Sequence, residues 1–209
     1  GRFYDPSDEF AIPSEHDGKP VVSILPNGFA GKHMQRVYLP DTLKYIGASA
    51  FENCASLVEI YIPSGVESVG MRAFAGCAAL AEIQLPTAVV GDKAFEGCTS
   101  LTVVTVENYA EDFSVEQYSA FWALPDGATI RLVGVLIVGD KEYTFEHGAN
   151  FTLPVVDKEG YTFAGYFDSE TDGNAVTDSK GNSLTPFDFT ERKTLYARLQ
   201  ANVNKLIFY

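Results

Sequence analysis

Along the first half of the chain the apolar residues form one block that is repeated. Val37-Tyr38-Leu39-Pro40, Ile60-Tyr61-Ile62-Pro63 and Ile83-Gln84-Leu85-Pro86 follow one another at 23-residue steps. Each block has the same sequel. An apolar residue precedes a glycine (Gly47, Gly70, Gly91), then comes an Ala-Phe pair ending at Phe51, Phe74 or Phe95, then Cys54, Cys77 or Cys98. The third block is two residues short between Pro86 and Gly91, a deletion that a turn absorbs. A degenerate earlier block runs through Ile12-Pro13, Ile24, Phe29, Met34 and Val37.

Alternation such as Leu80-x-x-Ile83-x-Leu85 predicts short strands whose alternate side chains point inward. Proline cannot donate to a ladder, so each strand stops at Pro40, Pro63 or Pro86 and the chain turns. A second extended run, Leu43–Ile46 or Val66–Val69, reaches the glycine, and the Ala-Phe stretch predicts a brief helical turn. A unit this small cannot bury its own apolar face, so the units must stack, with like residues about 4.7–4.9 Å apart. Phe51, Phe74 and Phe95 are then expected to form one buried column. The cysteines fall on a common inward face as small apolar residues. A neighbouring pair lies within disulfide reach, leaving an odd thiol, whereas a linear column does not supply tetrahedral zinc ligands.

After Gly134 the repeat stops and alternating β pattern takes over, at Tyr143 and Phe145, Tyr161 and Phe163, Phe187 and Phe189, then Leu195, Ala197 and Leu199. Gly, Asp and Asn turn residues separate these runs.

The repeat Leu57-x-x-Ile60-x-Ile62-Pro63-x-x-Val66-x-x-Val69-Gly70-x-x-Ala73-Phe74-x-x-Cys77 resembles the BspA-type leucine-rich repeats. The resemblance runs over residues 12–106, with Leu124 to Leu132 similar to the final coil of such arrays and Glu111 to Phe121 expected as an inserted short helix. It implies a leucine-rich-repeat solenoid of short strands, turns and brief helical turns, on a cell-surface or secreted protein associated with adhesion. Gly160 to Tyr166 and Thr194 to Leu199 resemble the two ends of the Listeria–Bacteroides repeat. That module is a small α+β, β-grasp-like domain of bacterial surface proteins, although Tyr166 and Leu199 stand where it usually has tryptophan. The expected organisation is therefore a solenoid at 1–134, with a degenerate N-terminal coil and a C-terminal cap. A β-grasp-like repeat follows at 135–200, and 201–209 forms a tail or the start of another segment.

Composition narrows the partners. The chain has 209 residues and a formal charge of −13, which argues against nucleic acid or anionic lipid. No apolar run approaches the roughly 18 residues of a membrane helix, so no membrane insertion is expected. The chain begins Gly1-Arg2-Phe3, with neither a basic leader nor an apolar stretch, so any export signal is expected to have been removed or to lie outside this sequence.

Candidate chemistry is sparse. Asp168-Ser169-Glu170-Thr171-Asp172-Gly173 begins like a calcium loop, but its twelfth position is Ser179 rather than a bidentate Glu, so a solvated loop is the better reading. Leu39-Pro40-Asp41-Thr42-Leu43 superficially resembles a sortase signal and coincides with the repeat's own Leu-Pro. His16, His33 and His147 are scattered, with no triad or metal spacing. Glu59 and Glu82 share a repeat position and are expected about 5 Å apart, a separation near that of glycosidase pairs. Both point the same way off one sheet instead of flanking a cleft. No metal, cofactor or enzymatic activity is expected.

The remaining candidate is the concave strand ladder, whose outward positions read Arg36 and Tyr38, Glu59 and Tyr61, Glu82 and Gln84, then Val103 and Thr105. Solenoids recognise partners on such faces, and Tyr and Arg are enriched at hot spots. The two tyrosines could equally form a stabilising cross-strand pair. Trp122, with Tyr118 and Phe121, reads as packing of the cap. The expected function is adhesion or binding of a protein, such as a host extracellular protein. The alternative is a carbohydrate-binding or structural spacer module of a larger protein.

Overall fold

A computed structural model describes residues 8–87, 89–107, 121 and 124–202. The chain divides into two compact units, Gly1–Leu132 and Val133–Tyr209. Strands β1 (Glu9–Ala11), β2 (Glu15–His16), β3 (Lys19–Pro20), β4 (Ser23–Ile24), β5 (Arg36–Tyr38), β6 (Tyr45–Ile46), β7 (Glu59–Tyr61), β8 (Ser68–Val69), β9 (Glu82–Leu85) and β10 (Val103–Val106) lie in the first unit. Strand β11 (Thr129–Val138) begins there.

Two parallel ladders build each coil. In one, β1, β5 and β7 pair in register as Glu9↔Arg36↔Glu59 and Ala11↔Tyr38↔Tyr61. The same edge of the repeat continues through β9, β10 and Thr129–Leu132 of β11, with Gln84↔Thr105↔Arg131 in register. In the other, β4, β6 and β8 align Ile24, Ile46 and Val69, all buried. Where the third block lacks two residues, this ladder thins to a single bridge between Val69 and Val90. The deletion removes one short strand and leaves the stacking intact.

The stacking also explains the repeat glycines. A Cβ at Gly47 would lie 2.6 Å from the Ile24 carbonyl oxygen, at Gly70 2.5 Å from the Ala48 nitrogen, and at Gly91 2.3 Å from the Met71 nitrogen. Backbone of the neighbouring coil occupies the space a side chain needs.

The helical turn expected after each glycine is not formed. Donors alternate there. Ala50, Glu52 and Cys54 N–H bond back to the third preceding carbonyl, while Ser49, Phe51 and Asn53 N–H donate to Met71, Ala73 and Ala75 of the next coil. Left-handed backbone recurs every fourth residue, at Ser49 and Asn53, then Arg72 and Gly76, then Lys93 and Gly97. A helix needs unbroken right-handed residues and all its own donors, so the segment is a chain of turns stitched to its neighbour.

Inside, Phe29, Phe51, Phe74, Phe95 and Phe121 stack with centroids 5.4, 5.5, 6.0 and 6.1 Å apart. Phe51, Phe74 and Phe95 are fully buried, and Phe10 closes the column edge-on to Phe29 at 5.2 Å.

In the second unit, Val133–Val138 of β11 pairs antiparallel with β12 (Lys141–Glu146). Leu136–Val138 pairs parallel with the start of β14 (Lys193–Ala201), and β14 pairs antiparallel with β13 (Tyr161–Phe167) across an irregularity between Phe163 and Gly165. The strand order is β12-β11-β14-β13. Leu136, Phe151, Leu153, Phe163, Tyr166, Phe187 and Leu195 form its core. The buried Tyr166 hydroxyl donates to the Pro154 carbonyl at 2.8 Å, and burial raises its pKa.

No helix occurs among the described residues of this unit, so its expected α+β composition is corrected to β strands and turns. The connections at 147–160 and 168–192 are rich in Gly, Pro, Asp and Asn, which disfavour helix. They pair instead through isolated bridges, Thr152–Asn182, Phe167–Ala175 and Thr177–Ser183. The inserted helix expected over Glu111 to Phe121 lies outside the described residues except for Phe121, as do Tyr118 and Trp122.

Candidate interaction face

The repeat residues that point inward are Val37, Ile60, Ile83 and Val104, all buried. Strand alternation therefore turns their neighbours outward, and the face is built by the same pattern that builds the core. Tyr38 and Tyr61 stand in register on β5 and β7, with 44% and 61% of their surface exposed. Among the described residues neither ring stacks on another aromatic ring, and both keep exposed surface.

The charged rung beside them is partly self-satisfied. Arg36 reaches Glu9 Oε1 at 3.1 Å on one side and Glu59 Oε2 at 3.3 Å on the other. These groups are roughly half exposed, a setting in which such pairs contribute about 0–1 kcal/mol. Their effect is positional, because Arg36 is engaged from both sides and cannot by itself anchor a partner. Gln84 is also occupied, its amide donating to Glu107 Oε1 at 2.6 Å. Glu82 is exposed and has no ion pair or hydrogen bond among the described residues. Thr105 is half-buried between Gln84 and Arg131.

Glu59 and Glu82 fall in different ladders. Glu59 pairs with Arg36, and Glu82 with Val103. No hydrogen-bonded register joins β7 to β9 among the described residues, although the two strands are in contact, and both carboxylates stand at outward positions of one face rather than across a cleft, which does not suit a catalytic pair.

Two participants were not among the sequence candidates. Glu9 was hidden because it precedes Arg36 by 27 residues, the β2–β3 hairpin lengthening that coil beyond the 23-residue step. Glu107 occupies the position of Pro86 one coil later, a signal present in the spacing.

The cysteines form a second column. Cys54, Cys77 and Cys98 are free and buried, and each thiol donates to the carbonyl of the column phenylalanine one coil earlier, to Phe29 at 3.2 Å, Phe51 at 3.2 Å and Phe74 at 3.1 Å. Burial raises all three pKa values, with Cys98 pushed up to about 11. Such thiols are poor nucleophiles and poor metal ligands.

The loop at Asp168 is already filled. Asp168 Oδ1 accepts the Asn174 N–H at 2.7 Å, and Arg198 donates to the Ser169 and Thr171 carbonyls while lying 3.9 Å above the Phe167 ring. The Asn174 carbonyl, at the position where such a loop supplies a backbone ligand, accepts the Asp168 N–H at 3.1 Å. Among the described residues no cluster of His, Cys, Asp or Glu could hold a metal. His16 and His33 lie 3.6 Å from Asp17 and Asp8 on the surface. Among the described residues, no helix is long and apolar enough to cross a membrane.

Short parallel strands stacked coil on coil, an inward aliphatic row, a phenylalanine column and proline stops together define a leucine-rich-repeat solenoid. More particularly, residues 22–124 match the BspA type leucine rich repeat region in six copies. Among solved structures it is similar to a leucine-rich-repeat protein of T. pallidum, at 29% identity over 60% of this chain and 51% of that one, with a TM-score of 0.45. A leucine rich cell surface protein from Faecalibacterium prausnitzii is similar at 27% identity over 60% of this chain and 32% of that one, with a TM-score of 0.48. A leucine-rich-repeat protein from Bacteroides capillosus is similar at 31% identity over 49% and 79%, with a TM-score of 0.44. The chain thus spans about half the length of the first relative and a third of the second. No curated protein matches it.

Proposed function

We propose that the first unit is a non-enzymatic protein-recognition module of a surface or secreted protein, acting in adhesion through the outward face of β5, β7, β9 and β10. The observation that supports this most is the pair of open tyrosines, Tyr38 and Tyr61, held in register on a hydrogen-bonded ladder. Rigid aromatic side chains bring large contact area and lose little conformational freedom on binding. The match of residues 22–124 to the BspA type repeat supports the surface location. The residues assigned to the face are Arg36, Tyr38, Glu59, Tyr61, Glu82, Gln84 and Thr105. Arg36 and Gln84 orient their neighbours, while the tyrosines and Glu82 make contact.

We propose further that the second unit, at about 135–200, is a β-grasp-like spacer that carries the solenoid away from the cell. Its strand order β12-β11-β14-β13, with the two central strands parallel, supports this reading.

The test is a binding screen of the purified chain against immobilised extracellular-matrix proteins, serum proteins and glycans. A Tyr38→Ala/Tyr61→Ala/Gln84→Ala variant is run in parallel. The expected result is a protein hit that the variant loses by at least about tenfold, the effect of removing one hot spot. A hit that the variant retains in full places recognition elsewhere and refutes the assignment of this face. Retention of glycans alone favours a carbohydrate-binding module.

A further inference from the structure

We infer that the occupant of this face is a lysine- or arginine-bearing stretch of another protein, its cation seated on the Tyr61 ring beside the Glu59 and Glu82 carboxylates. The inference rests on the reading of the face as a recognition surface and adds the chemistry of the partner.

Charge complementarity carries it. The outward charged positions of β1, β5, β7 and β9 are Glu9, Arg36, Glu59 and Glu82, three carboxylates against one guanidinium. Arg36 lies between Glu9 and Glu59 and neutralises neither fully, since it reaches one oxygen of each. Glu82 has no cation among the described residues. Two residues from Glu59 on the same strand stands Tyr61, with 61% of its surface exposed, an aromatic ring within reach of a bound cation. An ammonium or guanidinium there meets two carboxylates and an aromatic ring, whereas an anionic partner is repelled. The chain's own charge of −13 likewise disfavours a second copy as occupant. An extended segment running along β7 suits the geometry, because its alternate side chains, about 6.6–6.8 Å apart, repeat at the spacing of Glu59 and Tyr61.

The probe is a fluorescein-labelled decapeptide of alternating lysine and serine, titrated with the full chain by anisotropy at low and physiological salt. A glutamate-serine peptide serves as the opposite-charge control. Glu59→Gln/Glu82→Gln is expected to weaken the lysine peptide about fivefold, and Tyr61→Ala about threefold. Asp157→Asn/Glu159→Gln removes the same charge from exposed positions of the second unit, with an expected effect under about 1.5-fold. Glu82→Gln alone breaks no contact in the solenoid, so its loss of binding is free of any folding defect.

Equal losses from the two double variants reveal only general attraction to an acidic protein and overturn the inference, as does an absence of peptide binding. A panel protein lost by the tyrosine variant but kept by Glu59→Gln/Glu82→Gln overturns the cationic occupant and leaves the recognition face standing. A protein kept by both variants removes the face and the inference together.

Discussion

Truncating Phe74 to alanine tests the column that holds the coils together. The ring is fully buried, with Phe51 5.5 Å away on one side and Phe95 6.0 Å away on the other, their planes within 1° and 3° of parallel. Removing it forfeits roughly 1.5–3 kcal/mol of apolar burial. The hole cannot close easily, because the coils on either side are pinned by backbone bonds, Phe51 N–H to Ala73 at 2.7 Å and Phe74 N–H to Ala94 at 2.9 Å. A residual cavity of about 60–80 Å³ then adds roughly 1.5–2 kcal/mol, for a total of about 3–5 kcal/mol. Phe74→Leu, which keeps most of the volume and loses the stacking, is expected to cost about 1–2 kcal/mol. Urea melts followed by far-ultraviolet circular dichroism give both values from the shift in midpoint at constant slope. If Phe74→Ala costs less than about 1 kcal/mol, or no more than Phe74→Leu, the column is not what stabilises the stack.

Four further outcomes follow from the packing. Gly70→Ala puts a Cβ 2.5 Å from the Ala48 nitrogen, where no flexible side chain can yield, so a loss of about 1–3 kcal/mol is expected in a thermal melt, and an unchanged melting temperature contradicts the close approach. Cys54, Cys77 and Cys98 should resist a thiol reagent in the folded chain and all react in about 6 M guanidinium, with rapid native labelling the contrary result. Their folded pKa values are raised, so their contribution is present below the unfolded value of about 8.5 and is lost as pH rises through the folded ones. Replacing all three by alanine should flatten the fall in urea midpoint between about pH 8.5 and 10.5. Glu52 behaves oppositely. Ser49 and Arg72 hold its carboxyl below the usual range, so its contribution is present above the unfolded value near 4.3 and is lost as pH falls. Glu52→Gln should therefore cost up to about 1 kcal/mol at pH 7 and nothing at pH 2.5, as read from melts at the two pH values.

In a solenoid, period becomes proximity, because each coil meets the next at nearly constant register. The step from Ile60 to Ile83, the proline stops and the column position of Phe51, Phe74 and Phe95 were therefore legible in the sequence. The outward placing of Tyr38, Tyr61 and Glu82 was legible too, since strand alternation needs only local backbone geometry. The tertiary structure decided whatever depended on a second segment's arrival. Arg36 is engaged because a hairpin-lengthened coil brings Glu9 beside it, and Gln84 because the following coil carries Glu107 in place of proline. The Ala-Phe segment is a string of turns because every second N–H goes to the neighbouring coil, a competition that local propensity does not register. The thiols find their acceptors in the preceding coil for the same reason. In the second unit, alternation marked β13 and β14, but the strand order, and the contacts of Arg198 to the Asp168 loop across 27 and 29 residues of chain, arise from long-range pairing. Local pattern determines which face of a strand is wet, and the packing of distant segments determines which groups on that face remain available.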